Sequence, residues 1–130
     1  MRVALDTNRY VDLCRGSAET AALLATAEAR YLPFAVLAEL RAGFALGRRA
    51  AENEQVLRRF LLKDGVSVLF PDEQTTHHYA AVFRQLRRQG TPIPTNDIWI
   101  AAVSAREAAT VLTFDGHFAA IGRVGHQILA

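Results

Sequence analysis

Four acids in this 130-residue chain stand where surface acids ordinarily do not. Asp6 ends the apolar run Val3, Ala4, Leu5 and opens "DTN", and Asp115 ends "TVLTF" in the same way. An acid at the carboxyl end of an apolar strand lies where open α/β sheets hold their ligands. Capping would account for Asp6 alone, and a turn within "FDGHF" would account for Asp115 alone. Thr7 and Asn8 are able to cap in place of Asp6, which frees that carboxylate for other work.

Two more acids emerge when the chain is wound as helix at about 100° per residue. In "FAVLAELRAGFAL", residues 34–46, Leu37, Leu40 and Phe44 form an apolar face, and Glu39 shares its stripe with Ala35, Gly43 and Leu46. Its carboxylate should be at least half-buried, unlike Glu52 and Glu54 among polar neighbours. In "PTNDIWIAAVSARE", residues 94–107, Ile98, Trp99, Ile100 and Val103 point in four directions, the mark of a central helix. Asp97 stands at its start, with the small residues Ala101 and Ser104 along its stripe. By the same tests Asp72 is an N-cap, Asp64 a turn residue before Gly65, and Asp12 and Glu107 belong to helix surfaces or ends.

Two carboxylates about 4 Å apart repel by about 4 kcal/mol at an effective dielectric of about 20. A domain's whole stability is about 5–15 kcal/mol. Four ionised acids in one place therefore require a cation or protonation. Oxygen ligands without Cys or His favour Mg²⁺ or Mn²⁺ over zinc, and Mg²⁺ prefers carboxylates together with substrate phosphate. One or two such ions would activate water and stabilise an in-line displacement at phosphorus. His117, close to Asp115, is not needed as a base in such chemistry.

The elements that must position these acids are short strands alternating with helical patterns. Strands are expected at Arg2 to Leu5, Tyr31 to Phe34, Val66 to Phe70, Thr110 to Thr113 and Gln127 to Leu129. Helices are expected at Glu19 to Ala29, Val36 to Leu46, Ala50 to Leu62, Glu73 to Gln89 between Asp72 and Gly90, and Asp97 to Ala108. Such alternation implies parallel pairing and helices on both sheet faces. The expected fold is α/β, a three-layer α/β/α domain with a central parallel sheet of four to five strands. Pro33 costs the second strand a ladder donor, which places that strand near an edge.

The length fits a single domain, residues 1–130. Hydrophobic residues make up 51% and charged residues 22%, the balance of a soluble globular chain. One cysteine, Cys14, and no apolar run of membrane-spanning or signal-peptide length point to a cytoplasmic protein away from membranes. Net charge is only +2, so composition alone does not announce a nucleic-acid partner, although all basic residues except Lys63 are Arg.

The motifs "LDTN", "LAELRAG" with Glu39, "IPTNDIWIAA" with Asp97 and "LTFDGHF" with Asp115 together resemble the PIN domain, in particular the VapC-type toxins of bacterial and archaeal toxin–antitoxin pairs. The likeness covers essentially the whole chain in the family's order. It implies a PIN-like fold and a Mg²⁺- or Mn²⁺-dependent endoribonuclease. The metal-binding acids match Asp6, Glu39, Asp97 and Asp115, and the polar residues matching Asn8 and Thr113 support them by holding carboxylates or water. It also implies homodimers and a cognate antitoxin that blocks the acidic groove. Arg41, Arg48, Arg49, Arg84, Arg87 and Arg88 are candidates for the RNA contacts that an acidic centre cannot make.

Two other readings compete. A phosphatase of haloacid dehalogenase-like type also starts from an acid after the first strand, but it places a second Asp two residues on, where this chain has Asn8. A nonenzymatic RNA-binding or interaction module is open to any small α/β domain, but would not explain acids buried along helix stripes.

Overall fold

A computed structural model describes residues 1–122 and the backbone of residues 126–128. Strands β1 (Arg2–Leu5), β2 (Ala29–Pro33), β3 (Val66–Leu69), β4 (Thr110–Thr113) and β5 (His126–Ile128) form one sheet in the order β3-β2-β1-β4-β5, with every pair parallel. Helices α1 (Thr7–Cys14) and α2 (Ala18–Ala25) link β1 to β2, α3 (Phe34–Leu46) and α4 (Ala50–Leu61) link β2 to β3, and α5 (Glu73–Gln89) and α6 (Thr95–Arg106) link β3 to β4. A 3-10 turn, Gly116–Ala120, follows β4. The expected α/β class with a parallel central sheet is what the chain adopts.

From β1 the chain builds outward through β2 to β3, then returns to lay β4 on the other side of β1. The carboxyl ends of β1 and β4 thus flank the point where strand order reverses, the place where such sheets open a crevice. Val3 and Leu5 pack with Tyr10, Leu24, Val36, Leu40 and Leu57 from α1 to α4, while Ala4 and Tyr31 meet Val103 of α6 through the opposite face. Side chains alternate across a strand, so Val3, Ala4 and Leu5 are buried on both faces of β1 directly before Asp6.

Helix α6 is buried almost all round, as its apolar directions predict: Asp97, Ile98 and Ile100 to Ser104 are all buried. Its first helical residue is Thr95, two before the expected start, because Pro94 serves as the N-cap with extended backbone. Helix α5 has the expected bounds, set by a capping box between Asp72 and Thr75 and by Gly90 at φ 67°, a left-handed conformation natural to glycine. Among the described residues no helix is long and apolar enough to cross a membrane.

Two expected bounds are corrected. The helix expected through Ala29 stops at Ala25, and Ala29 pairs with Arg2 of β1, so sheet pairing overrides the helical preference of alanine. The strand expected at Tyr31 to Phe34 ends at Pro33, and Phe34 already starts α3. The expectation that β2 lies near an edge holds: it stands next to the edge strand β3, with Pro33 opposite Leu69 of β3 and beyond the last β1 partner, Tyr31. Helix α1, implied by the capping reading of Asp6 and by the helical place given to Asp12 but expected without bounds, covers Thr7–Cys14. Of the last expected strand, Gln127 and Ile128 belong to β5, and Leu129 lies outside the described residues.

Candidate active site

Asp6 follows β1 directly, and its backbone N–H extends the sheet ladder to the Leu112 carbonyl at 3.0 Å. The carboxylate is 5% exposed. One oxygen accepts from the Thr7 backbone N–H at 2.8 Å, the other from the Thr113 hydroxyl at 2.7 Å. Asp6 is therefore itself the N-cap of α1, correcting the expectation that Thr7 and Asn8 relieve it of that duty. The two roles are compatible, because each carboxylate oxygen keeps a second lone pair for a ligand.

Thr113 acts on two acids at once. Its hydroxyl donates to Asp6 and accepts the backbone N–H of Asp115 at 2.8 Å. Asn8 holds backbone rather than a carboxylate: its Oδ1 accepts the Phe114 N–H at 3.1 Å, pinning the segment that carries Asp115 to α1. Beneath that segment the fully buried Arg9 guanidinium lies 4.6 Å from the Phe114 ring centroid.

Glu39 reaches the same place from α3, half-buried as its stripe predicts. Thr7 Oγ1 donates to its Oε2 at 2.5 Å, and Asn96 Nδ2 to its Oε1 at 3.1 Å. Asp97, 8% exposed, lies in the first turn of α6. Asp115 caps the 3-10 turn by accepting the His117 N–H at 2.9 Å. Three of the four acids thus sit at the positive ends of helical turns, where the aligned peptide dipoles favour negative charge.

Asp6, Glu39, Asp97 and Asp115 line one open cleft of about 550 Å³ together with Thr7, Asn96 and His117. His117 Nδ1 stands 3.0 Å from Asp97 Oδ2 and 3.1 Å from Asp115 Oδ2. Burial pushes the Asp97 carboxyl up, the His117 contact partly offsets this, and the charges of Asp6 and Asp115 add to the rise. Burial likewise raises Asp6, against the opposing hydrogen bonds from Thr113 and Thr7. The contact with Asp97 in turn raises His117, with the Asp115 charge contributing. Protonated, His117 is a cation held between two carboxylates.

A divalent ion fits this set. Asp97, Asp115 and His117 each present a ligand atom within 4.8 Å of the others, and Asp6 and Glu39 add carboxylate oxygens suited to a hard ion to the same cleft. Opposite charge would relieve the strain that burial and mutual repulsion place on Asp6 and Asp97.

The six candidate arginines are elsewhere: among the described residues none lines the acidic cleft. Arg41 forms a two-pronged pair with Glu54 at 2.9 and 3.1 Å, which also draws Glu54 out of the exposed class in which the sequence put it. Arg49 approaches Glu52 at 4.0 Å. Arg48, Arg84, Arg87 and Arg88 are exposed and, among the described residues, in no ion pair. Sequence reasoning passed over Thr7 and Asn96 as partners of Glu39, although each lies within a motif that carries an acid. It set His117 aside, and the structure puts it between two acids.

The PIN domain family matches residues 3–124. Ribonuclease VapC1 of Haemophilus influenzae strain R2866 is 35% identical over 114 residues, covering 84% of this chain and 83% of the relative. The solved structure of VapBC-1 from nontypeable Haemophilus influenzae superposes with a TM-score of 0.86 at 26% identity, covering 98% of each chain. That of VapBC-5 from Mycobacterium tuberculosis, a member of the VapBC family of toxin–antitoxin systems, gives a TM-score of 0.72 at 25% identity, covering 99% of this chain and 98% of the other.

Proposed function

Since this chain belongs to the PIN domain family, we propose that it is an endoribonuclease dependent on Mg²⁺ or Mn²⁺, acting as the toxin of a toxin–antitoxin pair. The observation that carries the reading is the meeting of Asp6, Glu39, Asp97 and Asp115, from four separate segments, in one open cleft at the reversal of strand order. The similarity to a ribonuclease supports RNA as substrate, and the similarity to VapBC toxin–antitoxin structures supports a cognate antitoxin as partner. A family match over nearly the whole chain favours this reading over a phosphatase of haloacid dehalogenase-like type. The homodimer implied by the resemblance belongs to the same proposal.

Asp6, Asp97 and Asp115 would hold the ion, and Glu39, fixed by Thr7 and Asn96, would complete the acidic wall facing it. When bound, the ion supplies positive charge for the phosphate oxygens and makes a water nucleophilic near neutral pH. The protein orients this chemistry in advance. Thr113 locks Asp6 and the Asp115 backbone in one arrangement, and Asn8 fixes the loop between them. His117 at the rim, when protonated, is placed to donate a proton or a hydrogen bond to an anion entering the cleft.

Cleavage of RNA by freshly purified protein with millimolar Mg²⁺ or Mn²⁺ tests the proposal. Asp6→Asn, Glu39→Gln and Asp97→Asn are each expected to lower the rate at least about a hundredfold while the fold, read by circular dichroism, is retained. Wild-type rates in all three variants would refute the assigned site.

A further inference from the structure

Thr113 and Phe118 are fully buried, and none of the four residues between them is. Two of those four, Asp115 and His117, belong to the candidate metal cluster, so the cluster depends on how this short exposed run is held. Phe114 opens the run, 37% exposed. Asn8 takes its backbone N–H, and its ring lies 4.6 Å, centroid to guanidinium carbon, from the side chain of Arg9. Arg9 is fully buried and is fixed from its other side: Nη1 donates to Thr20 Oγ1 at 3.1 Å, and that hydroxyl donates to Asp12 Oδ2 at 2.9 Å. Among the described residues Arg9 Nε and Nη2 have no hydrogen-bond partner, and Arg9 is in no ion pair.

A buried guanidinium with two nitrogens unsatisfied costs stability that an apolar side chain of similar volume would not. Packing alone therefore does not account for Arg9. What it has in place of an acid is the face of Phe114, which attracts a cation more strongly where water is excluded. We propose that Arg9 is a positioning residue of the metal site: from beneath, its guanidinium holds the Phe114 ring and so keeps the neighbouring Asp115 carboxylate turned into the cleft before any ion binds. The assignment rests on the metal site of the proposed function and adds to it a residue that does not line the cleft. Asn8 and Thr113 fix the backbone N–H groups of Phe114 and Asp115. Arg9 removes the freedom that remains, a swing of the ring into water that would draw Asp115 with it.

The test is titration calorimetry of Mn²⁺ into the chelator-treated protein, paired with amide hydrogen exchange on the same samples without metal. Phe114→Leu keeps an apolar side chain and removes the ring face, whereas Arg9→Met keeps an unbranched chain and removes the charge. Each should weaken Mn²⁺ binding at least about fivefold, approaching the 10- to 100-fold, roughly, that follows loss of a group bonded directly to a ligand. The double variant should bind no more weakly than the weaker single variant, because both break one contact. Phe114→Tyr, which keeps the ring, should bind as the wild type does. Without metal, the Asp115 amide hydrogen should exchange at least about fivefold faster in Phe114→Leu while the amides of β2 keep their wild-type rates, the mark of a local opening. Should Arg9→Met fail to fold, the two Phe114 variants, altered at a partly exposed side chain, decide the matter. Wild-type Mn²⁺ affinity in Phe114→Leu overturns the assignment, whatever its melting temperature, and so does an additive loss in the double variant. If the wild type itself binds no Mn²⁺, the metal site and this assignment fall together, whereas binding that Phe114→Leu leaves unchanged overturns the role of Arg9 alone.

Discussion

Thr113 shows how much of the site depends on one hydroxyl. It is fully buried, donates to Asp6 and receives the Asp115 N–H. Thr113→Val keeps the shape and removes both bonds, leaving an Asp6 oxygen and a backbone N–H without partners. Metal affinity, measured by titration calorimetry on the purified variant, is expected to fall about 10- to 100-fold, the usual cost of losing a group that orients ligands. Affinity equal to the wild type's would mean that Thr113 positions nothing. The four acids were legible in the sequence because each ends or interrupts an apolar pattern, whereas Thr113 was legible only through the family resemblance. His117 was not, because its place depends on the 3-10 turn after Asp115, which folds the ring back toward α6. Arg9 was also illegible: nothing in "DTNRY" indicates that its arginine turns inward under Phe114.

The helices matter for what their ends hold in place. Arg106, at the last turn of α6 and with a side chain 11% exposed, donates to the Phe70 carbonyl at 2.7 Å and Thr75 Oγ1 at 2.6 Å, and pairs with Asp72 at 3.4 Å. It ties the far end of the Asp97 helix to the start of α5. Arg106→Met should lower stability in urea by about 1–2 kcal/mol, since it removes the hydrogen bonds to the Phe70 carbonyl and to the buried Thr75 hydroxyl, while the exposed Asp72 partner adds little. Because the acids lie at the opposite end of α6, metal affinity should be retained in the folded variant, as the same calorimetry would show. Strands β1 and β4 were readable to the residue because both are short apolar runs closed by polar residues. Helix α1 was given no bounds: in "TNRYVDLC" the apolar stripe of Tyr10, Leu13 and Cys14 spans little more than one turn, and it is helical because Asp6 caps it and Tyr10, Val11 and Leu13 pack on the core. The end of α2 was misread for a related reason, since alanines at positions 25, 27 and 29 look alike until β1 selects Ala29 for pairing.

At the scale of the whole molecule, the crossing-back of the chain from β3 to β4 gathers distant acids at one edge and leaves them under mutual strain. The metal-free protein should therefore respond to pH in a definite sense. Asp6 and Asp97 have raised pKa values, so the native state takes up protons at higher pH than the unfolded chain and gains stability as pH falls through their raised values. His117 is raised as well; its contribution is present below the ordinary histidine value of 6.5 and is lost as pH rises through its folded value. The His117 contribution makes the metal-free protein more stable near pH 6 than near pH 8, while the gain from Asp6 and Asp97 comes as pH falls through their own raised values toward 3.8. Asp12, Glu54 and Asp72 are lowered by their partners, so their contributions persist across this window and are lost only in more acidic solution. Melting curves with chelator should show the difference, and saturating Mn²⁺ should reduce it by stabilising the protein more at the higher pH. A metal-free melting temperature that rises from pH 6 to pH 8 would contradict this account of the cluster.

The central claim is that these acids form one metal site. Anomalous scattering from crystals soaked in Mn²⁺ tests it most directly. A peak within about 2.0–2.4 Å of carboxylate oxygens from Asp6, Asp97 and Asp115, absent in Asp6→Asn crystals of the same form, is the predicted result. An empty cleft in crystals that hold Mn²⁺ elsewhere, or the same peak in the Asp6→Asn variant, would contradict it.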